Sequence, residues 1–317
     1  MKKIVLFLLT FILFITPLFS WSAHKEMTEI ILEQFPWIQK YDNIEVTPYT
    51  YNDPSIYNPS YVISYRGEKI GDKISAFTII TRYIEEPDKG MDENINLNSM
   101  QKLTGGSSGW RHMYFITFQG LWILGEAPKR ALHFWNLAKE AFMKKDYYWG
   151  FRFFAYSLHY LQDVSMPFHA YPMPLKNVIL GIFNLDKLIS QGENHHYTLE
   201  DYQEYQIKIG NPKYIKALKE AKPLEISNPE ESAKKAAWIS RDYMGKLWDL
   251  QIKYYGPEIN EKKKYNADQK FFTLEYYSPF REEYDNTIIK ALEFCAGWTK
   301  GYLNFLKDFL DKLEGNK

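Results

Sequence analysis

Three side chains of the kinds that bind transition metals stand close together in SLHYLQDVSMPFHA, the stretch Ser157 to Ala170. His159 and Asp163 are four apart, so on a helix of about 3.6 residues per turn they project from one face. Pro167 cannot continue that helix, and the turn it forces brings His169 back toward the pair. The preceding run, Tyr147 to Tyr156, is almost entirely aromatic or apolar, so this helix is expected to be central and buried. A buried carboxylate beside a buried imidazole needs compensation, because an unpaired buried charge is costly. A metal ion supplies it. A hydrogen-bonded core histidine plus an aspartate near a helix end is the competing explanation, since polar pairs at this spacing are common on ordinary helices.

The rest of the chain shifts that balance. His196 and Glu200 repeat the four-residue spacing, whereas His195 would pair only with Leu199 and is the weaker candidate. His112 ends a polar loop that carries Asp88 and Asp92 upstream, and His24 lies near the start of the chain. Six of the seven histidines fall in these clusters, too many for unrelated coincidences. His133 has no carboxylate at metal spacing and reads as structural. Zinc takes His nitrogen and Asp or Glu oxygen, usually four ligands, and hydrolytic sites keep a position for water.

The elements that must position these residues are mostly helical. Ser22 to Phe35 reads as a helix capped by Ser22 and ended by Pro36. Tyr41 to Glu86 is rich in Tyr, Thr, Val, Ile and Pro, with a short strand or extended loop at Tyr61 to Tyr65. Ile74 to Tyr83 is a helix or a buried strand. Pro87 to Gly109 reads as an irregular loop. Helices are expected over Ala127 to Lys145, with Pro128 in the first turn, and over Asp146 to Val164. Met173 to Ile189 is markedly apolar and is expected to be a short helix packed on the core, with a lid or lipid-facing segment as the sharper alternative. A further helix starts at Asn194, and Asn228 to Tyr255 and Phe280 to Leu313 form two long amphipathic ones. The fold class is therefore mainly α, a single helical domain arranged around a buried central helix.

Composition sets the address. Lys2 and Lys3 precede an uncharged apolar run, Ile4 to Phe19, too short for a comfortable membrane span, so residues 1–20 read as a secretory signal and 21–317 as the working domain. The expected location is periplasmic or extracellular. Cleavage before Trp21 or before His24 is compatible with the sequence. Basic and acidic residues are balanced at 39 each, and loss of Lys2 and Lys3 leaves the mature chain slightly acidic, with no basic field for nucleic acid. Cys295 is the only cysteine, so no internal disulfide stabilises an exported chain, and bound metal would serve instead.

The sequence resembles the zinc-dependent phospholipase C family, which shares its fold with the single-strand-specific fungal nucleases. The resemblance rests on His159-Tyr-Leu-x-Asp163-Val-x-x-Pro167-x-His169-Ala170, on His196-x-x-x-Glu200 and on the start Trp21-Ser22-Ala23. It is strongest from Ala127 to Ala170 and weaker over Tyr41 to Tyr83 and beyond Asn211. It implies three zinc ions. Asp88, His112, His159 and Asp163 would hold one, with Asp92 in reserve for Asp88. His169, His196 and Glu200 would hold a second. The amine and carbonyl of Trp21 with His24 would hold the third, sharing Asp163 as a bridge. His24 stands closer to Trp21 than the family's equivalent does. Asp88 would also orient or deprotonate the attacking water. The implied activity is phosphodiester hydrolysis, with phospholipid as substrate and a transient membrane-surface contact. A single-strand-preferring nuclease of the same fold is the alternative, and a zinc-stabilised, non-catalytic secreted binding protein is the alternative from another class.

Overall fold

The structure, a computed structural model, describes residues 23–51, 63–93, 95, 106–117, 120, 122–181 and 184–315. The expected signal at 1–20, Trp21, Ser22 and the pair Ile182 and Phe183 lie outside the described residues. The fold is mainly α and is built around one helix, Tyr147–Ser165, in which every residue from Tyr148 to Ser165 is buried. A helix that is apolar nearly all round must be surrounded, and this one is. Ala127–Met143 runs back along it as a helical hairpin, while Ala76–Tyr83, Pro229–Ser240 and Arg281–Leu313 pack against its other sides. At the hairpin turn, Lys145 takes a positive φ of 61° and Asp146 caps the central helix by accepting from the Trp149 amide. Gly150 lets the two helices close on each other, since a Cβ there would meet the Phe142 ring at 2.5 Å.

Polar residues on so buried a helix each need a partner. Arg152 forms a paired contact with Glu86 (2.6 and 2.9 Å) while stacking over the Tyr83 ring. Ser157 donates to the Ala131 carbonyl. His159 and Asp163 instead meet side chains that are themselves candidate ligands, as described below.

Local sequence accounts for most of the remaining elements. His24–Leu32 is helical, with Ala23 at its N-cap and no side-chain cap bond, and Pro36 opens a 3-10 segment to Tyr41. The ambiguous Ile74 to Tyr83 divides: Lys73–Ile74 pairs antiparallel with Ile44–Glu45, and Ser75 then caps the helix Ala76–Tyr83 through the Thr78 amide. Part of the expected loop at Pro87 to Gly109 is helical, because Glu86–Asp88 is a 3-10 turn and Gly106–His112 a short helix. A second antiparallel ribbon, Phe115–Thr117 with Trp122–Leu124, follows.

Two further boundaries differ from the sequence expectation. The helix expected from Asn194 begins at Leu185, nine residues earlier, capped by the Asn184 side chain on the Lys187 amide. It takes in the C-terminal end of the apolar Met173 to Ile189 stretch, whose own helix is Leu175–Gly181. The single helix expected over Asn228 to Tyr255 is interrupted by a 3-10 turn, Arg241–Tyr243, between Pro229–Ser240 and Met244–Tyr255. The Ser240 hydroxyl donates to the Ser165 carbonyl there, fastening the break to the end of the central helix. Among the described residues no helix is long and apolar enough to cross a membrane.

Candidate metal centre

Five other elements converge on one end of the central helix. That helix supplies His159 and Asp163, and the Pro167–Ala170 turn supplies His169. Leu185–Lys208 brings His196 and Glu200, the last residue of Gly106–His112 brings His112, and the first residue of His24–Leu32 brings His24. Asp88 comes from the 3-10 turn after Pro87. His24, His112, His159, Asp163 and His169 are at most 1% exposed, and Asp88, with 13% of its side chain exposed, is the most open member.

His112 Nδ1, His159 Nε2, Asp88 Oδ1 and Asp163 Oδ2 crowd together. His112 Nδ1 lies 3.0 Å from His159 Nε2, 3.1 Å from Asp88 Oδ1 and 3.0 Å from Asp163 Oδ2. His159 Nε2 lies 3.2 Å from each carboxylate oxygen. Ligands at zinc bond lengths around a tetrahedron stand about 3.3 Å apart, so the triangle of His112, His159 and Asp163 fits three zinc ligands in donor chemistry and in size, with Asp88 reaching the two imidazoles. Of the two upstream aspartates, Asp88 and not Asp92 faces His112 Nδ1 and His159 Nε2. Asp92 lies behind the His112 ring, its Oδ2 at 3.2 Å from Nε2.

The second group is His169 Nε2, His196 Nε2 and Glu200 Oε1, separated by 3.3, 3.5 and 2.6 Å. Glu200 Oε1 is buried and accepts no hydrogen bond although two imidazole nitrogens face it. His169 Nδ1 donates to the His112 carbonyl at 3.0 Å. Its Nε2 therefore presents a lone pair to the group when the ring is neutral. A buried carboxylate oxygen without a donor, beside two imidazole nitrogens, suits a cation.

Asp163 links these surroundings. Its Oδ2 belongs to the first group, while Oδ1 lies 3.1 Å from His24 Nε2 and 4.0 Å from His169 Nε2. His24 Nδ1 donates to Gln162 Oε1 at 2.7 Å, and the Gln162 amide nitrogen donates to the hydroxyls of Thr28 and Thr299. His24 also forms a close group with Asp88 and His159. Trp21, the other residue expected beside His24, lies outside the described residues.

The two groups differ electrostatically. Burial opposes charge on His112, but Asp88, Asp163 and Asp92 outweigh it and raise the imidazole to about 9. Burial likewise fails to neutralise His159, which Asp163 and Asp88 hold well above its ordinary value. Against their own desolvation, His159 and His169 hold Asp163 well below the carboxylate range, and His159 and His112 hold Asp88 low. At the second group desolvation wins, pushing His196 down to about 4 and Glu200 up to about 8. Burial thus disfavours charge on both His196 and Glu200, and a cation would restore the carboxylate.

His195 and His133 stay out of both groups. The His195 ring stacks on Trp248 at 3.6 Å and bonds Gln251 and Asn260, joining its helix to the neighbouring ones. His133 is half-buried with its ring against Phe134. Spacing alone did not point to Gln162, Arg130 or Tyr160 as supports of the centre. A glutamine on an otherwise apolar helix face was the one available signal.

No family model matches the chain, and no curated relative matches it. Among solved structures it is similar to the alpha-toxin of Clostridium absonum, at 13% identity and a TM-score of 0.40, over 76% of this chain and 56% of that one. It is also similar to the Clostridium perfringens alpha-toxin from avian strain SWCP, at 13% identity and a TM-score of 0.41, over 76% of this chain and 55% of that one. The chain spans about half the length of these structures.

Proposed function

We propose that the chain is an exported, zinc-dependent phosphoric diester hydrolase that cleaves phospholipid in the manner of a phospholipase C. The observation that carries the metal-dependent part is the convergence of His112, His159 and Asp163 at mutual distances of 3.0–3.2 Å, with Asp88 3.1–3.2 Å from the two imidazoles and His169, His196 and Glu200 alongside. The phospholipid part rests on the His-x-x-x-Asp-x-x-x-Pro-x-His spacing at 159–169 and its resemblance to the zinc-dependent phospholipases. Asp88, His112, His159 and Asp163 would hold one zinc, His169, His196 and Glu200 a second, and Trp21 and His24 with Asp163 a third. Bound there, zinc supplies Lewis acidity that lowers the pKa of water and offsets the charge building on a phosphoryl group.

The protein's own groups do the rest. Asp88 is the most open of the ligand set and is held as a carboxylate, so it can align a water and take its proton. Asp163, shared between His112 and His24, fixes the separation of the groups on either side of it. Signal removal would be part of activation, because a free amine at Trp21 binds metal and an amide does not.

The test is elemental mass spectrometry on the exported, processed protein purified without chelator, followed by assays on phosphatidylcholine vesicles and on single-stranded DNA. About three zinc per chain and chelator-sensitive release of phosphorylated headgroup are expected. Absence of metal overturns the proposal. Cleavage of DNA but not lipid replaces the substrate class, and a full metal load without turnover on either makes the chain a binding protein.

A further inference from the structure

Behind the first metal group lies a second buried layer centred on Asp92, which is fully buried. Its Oδ2 stands at ion-pair distance, 3.2 Å, from His112 Nε2, a buried ring nitrogen that makes no hydrogen bond, and accepts from the Tyr160 hydroxyl at 2.5 Å. Its Oδ1 accepts from Arg130 Nη2 at 2.8 Å, with the Arg111 guanidinium 3.9 Å away. The backbone of Asp92 is held as firmly, because its carbonyl accepts from Ser107 and Arg111, both in the short helix that ends in His112. Carboxylate, arginine and tyrosine thus form a fixed mount on the ring edge that faces away from Asp88, His159 and Asp163.

We infer that Asp92 is a positioning residue for the metal centre: it holds the proton of His112 on Nε2 and so commits Nδ1 to metal. This deepens the zinc-hydrolase reading and rests on it. An ionised carboxylate offers only acceptors, so a neutral His112 facing it must carry its proton on Nε2, which leaves the Nδ1 lone pair aimed into the group. A carboxylate behind a ligating histidine fixes the ring's orientation and raises its basicity, and losing such a partner typically costs 10–100-fold in metal affinity. Arg130 and Tyr160 keep that carboxylate charged and oriented. Asp92 is therefore no substitute for Asp88, although the two are four apart in sequence and both lie upstream of His112.

The experiment compares wild type with Asp92→Asn, reading zinc affinity by competition with a chromophoric chelator and occupancy by elemental mass spectrometry. Asp92→Asn is expected to weaken zinc by about 10–100-fold at one site while the remaining zinc stays bound. Glu68→Gln, which disturbs a buried carboxylate bonded to Arg82, Tyr83 and Tyr148 at the far end of the central helix, is expected to lower thermal stability and leave every zinc affinity within twofold. Long-range 1H–15N correlation on zinc-loaded wild type supplies a reading that needs no variant: His112 is expected as the Nε2–H form ligated through Nδ1. Wild-type affinity in Asp92→Asn overturns the inference, as does the opposite His112 tautomer, while the zinc reading stands. A wild type that takes up no zinc overturns the zinc reading itself.

Discussion

His159 and Asp163 are the residues on which the metal-dependent reading is most exposed. Asp163 faces His112, His159 and His24 at 3.0–3.2 Å, so replacing it removes an acceptor from three buried imidazoles at once. Asp163→Ala and His159→Ala are each expected to lose zinc and stability together, with about 1–3 kcal/mol for every buried polar group left unsatisfied. Zinc per chain and thermal midpoint, measured on the same samples, check this; undiminished zinc in both variants would show that the cluster is a set of polar pairs. Glu200→Gln separates the groups. It is expected to remove the second group's zinc alone, because Glu200 lies near His169 and His196 and belongs to no other group.

Between residue and molecule, the helices hold the centre by close approach. The long helix Arg281–Leu313 carries Gly297 and Gly301 where the segment from Lys222 to Leu224 crosses it. The Leu224 amide donates to the Gly297 carbonyl at 2.9 Å, and a Cβ at Gly301 would fall 1.7 Å from the Leu224 carbonyl oxygen. Backbone, unlike the end of a side chain, cannot swing aside. Gly301→Ala is therefore expected to destabilise by about 1–3 kcal/mol, seen as a lower denaturant midpoint, without changing zinc content. The helix starting at Leu185 shows why boundaries were harder to read than elements. The apolar stretch runs on past Asn184 through Leu185, Leu188 and Ile189, so no change of pattern marks the join, and the Asn184 cap becomes visible only once the backbone is placed.

For the whole molecule, the metal-free protein should respond to pH in the opposite sense from the loaded one. Raised folded-state values at His112 (about 9), His159 and Glu200 (about 8) mean that the metal-free folded chain holds protons the unfolded chain has released. The histidines contribute stability that is present below about 6.5 and lost as pH rises through their folded values; Glu200 acts in the same direction up to about 8. The lowered His196, Asp88 and Asp163 work the other way, but their contributions are complete by about pH 6.5. Chelator-treated protein is thus expected to lose stability from about pH 6.5 to 9. Zinc-loaded protein is expected to gain or hold it, because metal displaces those protons. Thermal midpoints across that range, with and without chelator, decide it; parallel curves would mean that the ligand set does not bind metal.

The sequence by itself determined what is local. A helix places residues four apart on one face whatever surrounds it, so the pairs His159 with Asp163 and His196 with Glu200 were readable, as were the central helix, its aromatic burial and the mainly α class. Tertiary structure alone decided which distant residues complete the centre. His24 reaches Asp163 across 139 positions and Asp88 rather than Asp92 joins His112, with Asp92 turned to the back of the same ring. Asp88 and Asp92 are the same residue type in the same polar stretch, and nothing in their spacing distinguishes front from back. That choice is made by Arg130 and Tyr160, which lie on two helices far along the chain and meet Asp92 only when the helical hairpin has closed.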